Sequence, residues 1–127
     1  MVPEKLRYTK DHEWIRVEGD LGVVGITEHA QAELGDIVFV ELPKIGAKLE
    51  QSASFGSVES VKAVSDIYAP VTGDVVEVNT ALAAAPEKVN EDPYGQGWIM
   101  KLRLSDASQV EKLMSANEYD AYVGAES

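Results

Sequence analysis

Lys62 stands midway between two β-prone arms, 54–60 and 63–70, that are rich in Val, Ile, Phe, Tyr and Ser. Pairing the arms about Val61-Lys62 sets Ser60 opposite Ala63, Glu59 opposite Val64 and Ser57 opposite Asp66. That register predicts a hairpin over about residues 54–70 with a primary amine at its tip. An amine presented in this way is an attachment point. Residue type alone does not establish the role: Val-Lys lacks the Asn-Gly or Asp-Gly chemistry of a two-residue loop, Val61 is β-branched, and most exposed lysines only keep a surface wet. Gly56, in the first arm, and Gly73, beyond the second, are residues that permit close backbone packing or turns. The chain has no cysteine. Disulfides, thiolate metal sites and cysteine nucleophiles are therefore excluded, and any sulfur chemistry has to come from something added.

Other catalytic signatures are missing from the sequence. It contains no Gly-rich phosphate loop, no His-Glu-x-x-His zinc pair, no Gly-x-Ser-x-Gly nucleophile elbow and no aromatic-plus-basic face for nucleic acid. His12 falls in a β-prone run and His29 in a short helix, and each reads as a surface or hydrogen-bonding residue rather than a metal ligand. Carboxylates are abundant, but abundance in so acidic a chain is no sign of acid/base catalysis. No intrinsic active site and no metal site are assigned.

The elements that must position Lys62 follow from pattern. Tyr8 and then residues 12–17 form a β-prone run closed by the turn cluster Glu18-Gly19-Asp20, and 21–26 returns as its partner. Thr27 caps a helix over 28–34, with Glu28 facing the positive dipole end and Gly35 just past the close. Residues 36–42 read as a strand. The run Ile37-Val38-Phe39-Val40 is apolar on both faces, which predicts burial between two layers, and Pro43 stops it. After a strand at 75–78, residues 80–97 read as a long loop with one helical turn. Residues 98–104 alternate Trp98, Met100, Leu102 and Leu104 against Ile99, Lys101 and Arg103, as a half-exposed strand does. Asp106 with Gln109 opens a helix striped by Val110, Leu113 and Met114. Ser115 with Glu118 forms a capping box that starts a second helix bearing Tyr119, Tyr122 and Val123, so a helical segment spans about 106–124. The end, 124–127, is expected to fray.

Length and charge bound the rest. At 127 residues with 45% hydrophobic content the chain is expected to be a single domain, 1–127, with an ordinary core. Eleven basic against 22 acidic side chains give a net charge of −11, which repels nucleic acid and anionic membrane surfaces and favours basic partners. No apolar run of about 18 residues exists, and Met1-Val2-Pro3-Glu4-Lys5 opens neither a signal peptide nor an Arg-rich transit sequence. A soluble, cytoplasmic monomer is expected. An internal echo also appears. Leu42-Pro43-Lys44-Ile45-Gly46-Ala47-Lys48-Leu49-Glu50 and Ala69-Pro70-Val71-Thr72-Gly73-Asp74-Val75-Val76-Glu77 share Pro, Gly and Glu at an offset of 27. Either turn punctuation has coincided or two similar half-units form a closed, pseudo-symmetric pair of sheets joined by the lysine hairpin.

Five segments, in order, carry a resemblance that spans nearly the whole chain. They are Tyr8-Thr9-Lys10-Asp11-His12-Glu13-Trp14, Gly25-Ile26-Thr27-Glu28-His29-Ala30-Gln31, Leu34-Gly35-Asp36-Ile37-Val38-Phe39-Val40-Glu41-Leu42-Pro43, the lysine stretch with Glu59-Ser60-Val61-Lys62-Ala63, and Asn90-Glu91-Asp92-Pro93-Tyr94-Gly95 with Gly97-Trp98. Together they resemble the H-protein of the glycine cleavage system. The resemblance implies a mainly β, lipoyl-domain-like flattened barrel of two antiparallel sheets, a barrel-sandwich hybrid, with short helices of which two are C-terminal. It implies lipoic acid in amide linkage on Lys62; biotin carriers resemble Met-Lys-Met at that place.

The same resemblance implies a non-catalytic carrier in glycine catabolism and one-carbon metabolism. Such a carrier takes an aminomethyl group from glycine decarboxylase (P-protein), yields it to the aminomethyltransferase (T-protein) and passes electrons to dihydrolipoyl dehydrogenase (L-protein). A lipoylating enzyme is a fourth partner, for which Glu59 and Asp66 are expected contacts. A lipoyl-lysine places its dithiolane on the order of 14 Å from the backbone, counting about eleven single bonds in staggered array. The positions that correspond to the family's cleft for the loaded arm are Glu13, Glu33 and Asp66. Each also reads as an ordinary solvated acid, and at Glu33 some family members carry histidine. Two rival roles remain at this point: a stand-alone lipoate relay protein, and a small acidic binding domain with Lys62 unmodified.

Overall fold

Strand β1 (Arg7–Tyr8), β2 (Glu13–Glu18) and β3 (Leu21–Ile26) form an antiparallel meander in the computed structural model, which describes residues 2–126. The tight turn at Glu18-Gly19-Asp20 has the left-handed backbone that glycine adopts freely, with φ of 66° at Gly19. Helix α1 occupies Glu28–Leu34 as expected. The Thr27 hydroxyl accepts the Ala30 N–H, and Gly35, with φ of 83°, ends the helix while its N–H donates to the Gln31 carbonyl. His12, assigned to a strand from its neighbours, instead lies outside β2 with a positive φ of 68°.

Strand β4 (Ile37–Glu41), β5 (Lys48–Leu49), β6 (Ser54–Ser60), β7 (Val64–Tyr68), β8 (Gly73–Val78) and β9 (Met100–Leu104) complete two antiparallel sheets. One has the order β1-β2-β3-β9-β8-β5 and the other β4-β6-β7. Both are short enough to twist and face each other over a single core of Ile15, Val24, Val58, Ile67, Met100 and Leu102 among others. A second apolar cluster packs the far side of the larger sheet. There Trp14, Val23 and Tyr8 are covered by Ala116 and Tyr119. Trp14 and Ile15 are thus both buried although they point to opposite faces of β2.

The echoed segments pair with one another. Lys48 lies opposite Asp74, and the Val75 N–H donates to the Ala47 carbonyl, so shifting the first pair by the repeat offset yields the second. A local twofold between half-units requires this register. Gly56 and Gly73 sit where another backbone passes: a Cβ on Gly56 would run into the Glu41 carbonyl oxygen, and one on Gly73 would stand 2.5 Å from that of Arg103.

Further expectations are corrected. The strand at 36–42 is not buried between layers: β4 is an edge strand, a register shift falls between Ile37 and Phe39, and Val38 and Phe39 are 49% and 53% exposed. An edge strand with a bulge turns successive side chains outward, which an apolar run cannot reveal. The loop 80–97 holds two helical turns, α2 (Ala81–Ala84) and α3 (Lys88–Glu91), anchored by buried Leu82 and Val89. Ile99 is fully buried rather than facing out with Lys101 and Arg103, because it precedes β9 and bonds through its N–H to Val24 and through its carbonyl to Asn79. Helix α4 is a single turn, Ser108–Glu111, so Leu113 and Met114 lie beyond it and Met114 bridges to Tyr8 instead of extending a helical stripe; α5 (Ala116–Glu126) follows, and its Ser115–Glu118 capping box forms as expected, with Glu118 Oε1 accepting the Ser115 N–H at 2.8 Å. Its backbone stays helical through Glu126 where fraying from Gly124 is expected; Ser127, like Met1, lies outside the described residues. Among the described residues no helix is long and apolar enough to cross a membrane.

Candidate functional site

The lysine hairpin is β6 and β7, in the expected register: Glu59 faces Val64, Val58 faces Ser65 and Ser57 faces Asp66. A Val-Lys tip has no intrinsic turn preference, and a side chain that the sequence reading passed over supplies one. Ser60 is only 5% exposed, and its hydroxyl accepts the N–H of Lys62 at 3.3 Å and of Ala63 at 3.1 Å while it donates to the Ala63 carbonyl. Serine and threonine hydroxyls close turns in this way where glycine is absent. The signal was available: a serine two residues before the tip.

Lys62 is exposed and is flanked by exposed Val61 and Ala63. Its backbone is fixed, while among the described residues no ion pair engages its amine. The tip does not stand alone. The Val61 N–H donates to the Asp36 carbonyl at 3.1 Å, and Lys62 Cε lies 3.7 Å from where a Cβ on Gly35 would be. The amine is therefore presented beside the corner that links α1 to β4.

Glu13 occupies a different environment. It is 2% exposed, on the side of β2 that faces the smaller sheet, and both carboxylate oxygens are bound. The Thr9 hydroxyl donates to one at 2.6 Å and the Tyr68 N–H to the other at 3.1 Å. Burial pushes its pKa up to about 7, against the lowering effect of those two donors. Glu13 also lines a surface cleft of about 300 Å³ together with Thr9, Ser52, Pro70 and Lys112. Asp66 does not line that cleft. It is exposed on β7, on the same side of the strand as Tyr68, four residues from Lys62. Glu33 is exposed on α1 and lies 2.9 Å from His29 Nε2. Glu59 is exposed on the outer side of β6, between Phe39 and Val64 in one cross-strand row.

The two histidines come together although they are far apart in sequence. Their rings are 4.6 Å apart, and His12 Nδ1 lies 2.7 Å from the Tyr119 hydroxyl, which also meets the Thr27 hydroxyl at 2.8 Å. The cluster pins α5 to the start of α1. Among the described residues no group of three or more His, Cys, Asp or Glu is placed to hold a metal ion.

With that geometry in hand, the chain can be set beside known proteins. The glycine cleavage H-protein family model matches residues 6–126. A glycine cleavage system H protein of Symbiobacterium thermophilum is 59% identical over 121 residues, covering 95% of this chain and 94% of the relative. One of Brevibacillus brevis is 60% identical over 121 residues, covering 95% and 96%. Among solved structures, the crystal structure of a glycine cleavage system H protein from Mycobacterium marinum superposes with a TM-score of 0.89 at 43% identity, covering 97% of this chain and 99% of that one.

Proposed function

This chain belongs to the glycine cleavage H-protein family, and from that premise we propose that Lys62 carries lipoic acid in amide linkage and that the protein is a lipoyl carrier of glycine breakdown. The observation that supports this reading is the tip itself: a lysine whose N–H is held by Ser60 and whose neighbour Val61 is held by Asp36, while its amine projects free of any partner among the described residues. A lysine meant only for solvation needs no such framing. When attached, lipoic acid supplies a cyclic disulfide able to take up the aminomethyl group of glycine and its electrons.

What the chain's own residues contribute is presentation, shelter and docking. Ser60 and the corner at 35–36 hold the attachment amine outward. Glu13 offers a buried, proton-sharing carboxylate in a cleft, suited to the cationic end of a loaded arm, and Asp66 lies on the strand between tip and cleft. Glu33, tied to His29 on the helix, is a weaker fit to that role. Glu59 and Asp66 flank the tip as contacts for the lipoylating enzyme. The partners in this reading are the decarboxylase, the aminomethyltransferase, the dihydrolipoyl dehydrogenase and the lipoylating enzyme. The chain adds no catalytic group of its own, acting as a cytoplasmic monomer whose net charge of −11 steers docking.

Mass spectrometry of the protein purified from its native source tests the reading, with a lipoyl adduct expected on Lys62. Reconstitution with glycine decarboxylase then asks whether Lys62→Arg abolishes decarboxylation coupled to the carrier. An unmodified native lysine, or a fully active Lys62→Arg variant, overturns the proposal.

A further inference from the structure

Asn90 lies far from Lys62 in sequence, on the short helix α3, yet its side chain bonds to the corner beside the lysine tip and to the helix that leads into it. Its Oδ1 accepts the Ile37 N–H at 2.8 Å, and its Nδ2 donates to the Gly35 carbonyl at 2.9 Å and to Gln31 Oε1 at 2.8 Å. One amide thus brackets Gly35, Asp36 and Ile37 from both ends. The corner is unusual backbone in its own right, since Gly35 has a φ of 83°. Between the two bracketed groups, the Asp36 carbonyl receives the Val61 N–H, and Ile37 pairs with Ser60 across β4 and β6. Asn90 itself cannot drift. Its neighbour Val89 is fully buried, and the loop closes so tightly that a Cβ on Gly97 would meet the Lys88 carbonyl oxygen at 2.7 Å.

We propose that Asn90 is a positioning residue for Lys62: it clamps the α1–β4 corner, and through the Asp36–Val61 hydrogen bond the corner sets the pose in which the hairpin tip meets the enzyme that acylates it. Burial alone would not need this arrangement. A polar side chain at half-buried depth could have been solvated, whereas three of its four hydrogen-bonding places are taken by the Gly35 carbonyl, the Ile37 N–H and the Gln31 side chain on the helix before them. The other side-chain ties lie elsewhere: the histidine cluster joins α5 and α1, and Glu13 bonds the hairpin at its base.

The biological consequence rests on the lipoyl reading above, but the physical one does not, and the experiment separates them. In the full-length apo-protein, Asn90→Ala is expected to speed hydrogen exchange at the Val61 and Ile37 amides at least about tenfold, with the core amides of Val24 and Met100 unchanged. With a lipoate ligase and lipoyl adenylate, where Lys62 Nζ displaces AMP to form the amide and loses a proton, the variant is expected to raise KM for the apo-protein about tenfold at unaltered kcat. Asn90→Asp keeps the acceptor for Ile37 but sets a carboxylate oxygen against the Gly35 carbonyl, so it should move both readouts in the same direction. It also serves if the alanine variant does not fold. Unchanged Val61 exchange in both variants overturns the clamp, and so does acceleration shared equally by the core amides, which would make Asn90 a general stabiliser. If the wild-type lysine is never acylated, the lipoyl reading falls while the exchange data still decide the clamp.

Discussion

The Tyr68 N–H donates to Glu13 Oε2 at 3.1 Å, so a carboxylate from the larger sheet closes the free edge of the last strand of the smaller one. Edge strands need such a cover, and here the cover is ionisable. Burial raises the Glu13 pKa from 4.5 to about 7. The folded state thus holds this proton more tightly than the unfolded chain. The stability linked to it is complete below about pH 4.5 and is lost as pH rises through about 7. The upper bound on that loss is on the order of 3 kcal/mol, at about 1.4 kcal/mol per unit. Urea midpoints at pH 5 and pH 8 should therefore differ more for the wild type than for Glu13→Gln, whose amide can accept from Tyr68 and donate to Thr9. Identical pH differences in the two proteins would sink this account.

Glu13 should also govern how long a loaded arm survives. If its carboxylate shelters a cationic amine, a charged hydrogen bond of about 1.5 kcal/mol is at stake, or about tenfold in lifetime. With the lipoyl-lysine protein loaded by glycine decarboxylase and no transferase present, Glu13→Ala should release the one-carbon unit about tenfold faster at pH 8. The contrast should shrink below pH 7, where the wild-type carboxyl is protonated. A loaded form that decays at the same rate in both proteins removes Glu13 from this role.

Much of the frame was legible from local chemistry. Thr27, Gly35, Ser115 and Glu118 declared the limits of α1 and the start of α5, because a cap is a short-range hydrogen bond between residues three or four apart. The hairpin register near the tip was legible because pairing the arms about Val61-Lys62 sets each following pair. The exposure of Val38 and Phe39 was not, since only the sheet order makes β4 an edge. The convergence of Asn90 on Gly35 and Ile37, and of Glu13 on Tyr68, was likewise hidden: those contacts join segments far apart in the chain and follow from how the sheets close. Lys62 was singled out by family resemblance; its framing by Ser60 was not legible in that way.

Gly56 should not tolerate a side chain. It lies in β6 where the pairing with β7 shifts register, and an added methyl would collide with the backbone oxygen of Glu41 on β4. A carbonyl held in a strand cannot swing aside as a flexible side chain would, so Gly56→Ala has to spread the three-stranded sheet. Overpacking of this kind costs about 1–3 kcal/mol, and the upper part of the range is expected here. The drop in urea midpoint should come with faster exchange in β4 and β6. A variant as stable as the wild type would mean that the two strands are held more loosely than this geometry states.

Ser60 offers the sharpest test of how the tip is built. Its hydroxyl replaces the glycine that a two-residue turn ordinarily uses, accepting two N–H groups and donating to the carbonyl that its own N–H also bonds. Ser60→Ala leaves the N–H groups of Lys62 and Ala63 without that acceptor. Because the tip is exposed, water recovers part of the loss, and a fall of about 1 kcal/mol in stability is expected. The larger effect should be local, in exchange at the Lys62 and Ala63 amides, which now rely on solvent. Ser60→Thr retains the hydroxyl in a strand position that favours β-branching, and it should restore both readouts. If alanine leaves the Lys62 amide as protected as before, or if threonine fails to rescue it, the tip is ordered by the corner at 35–36 alone and the hydroxyl is incidental.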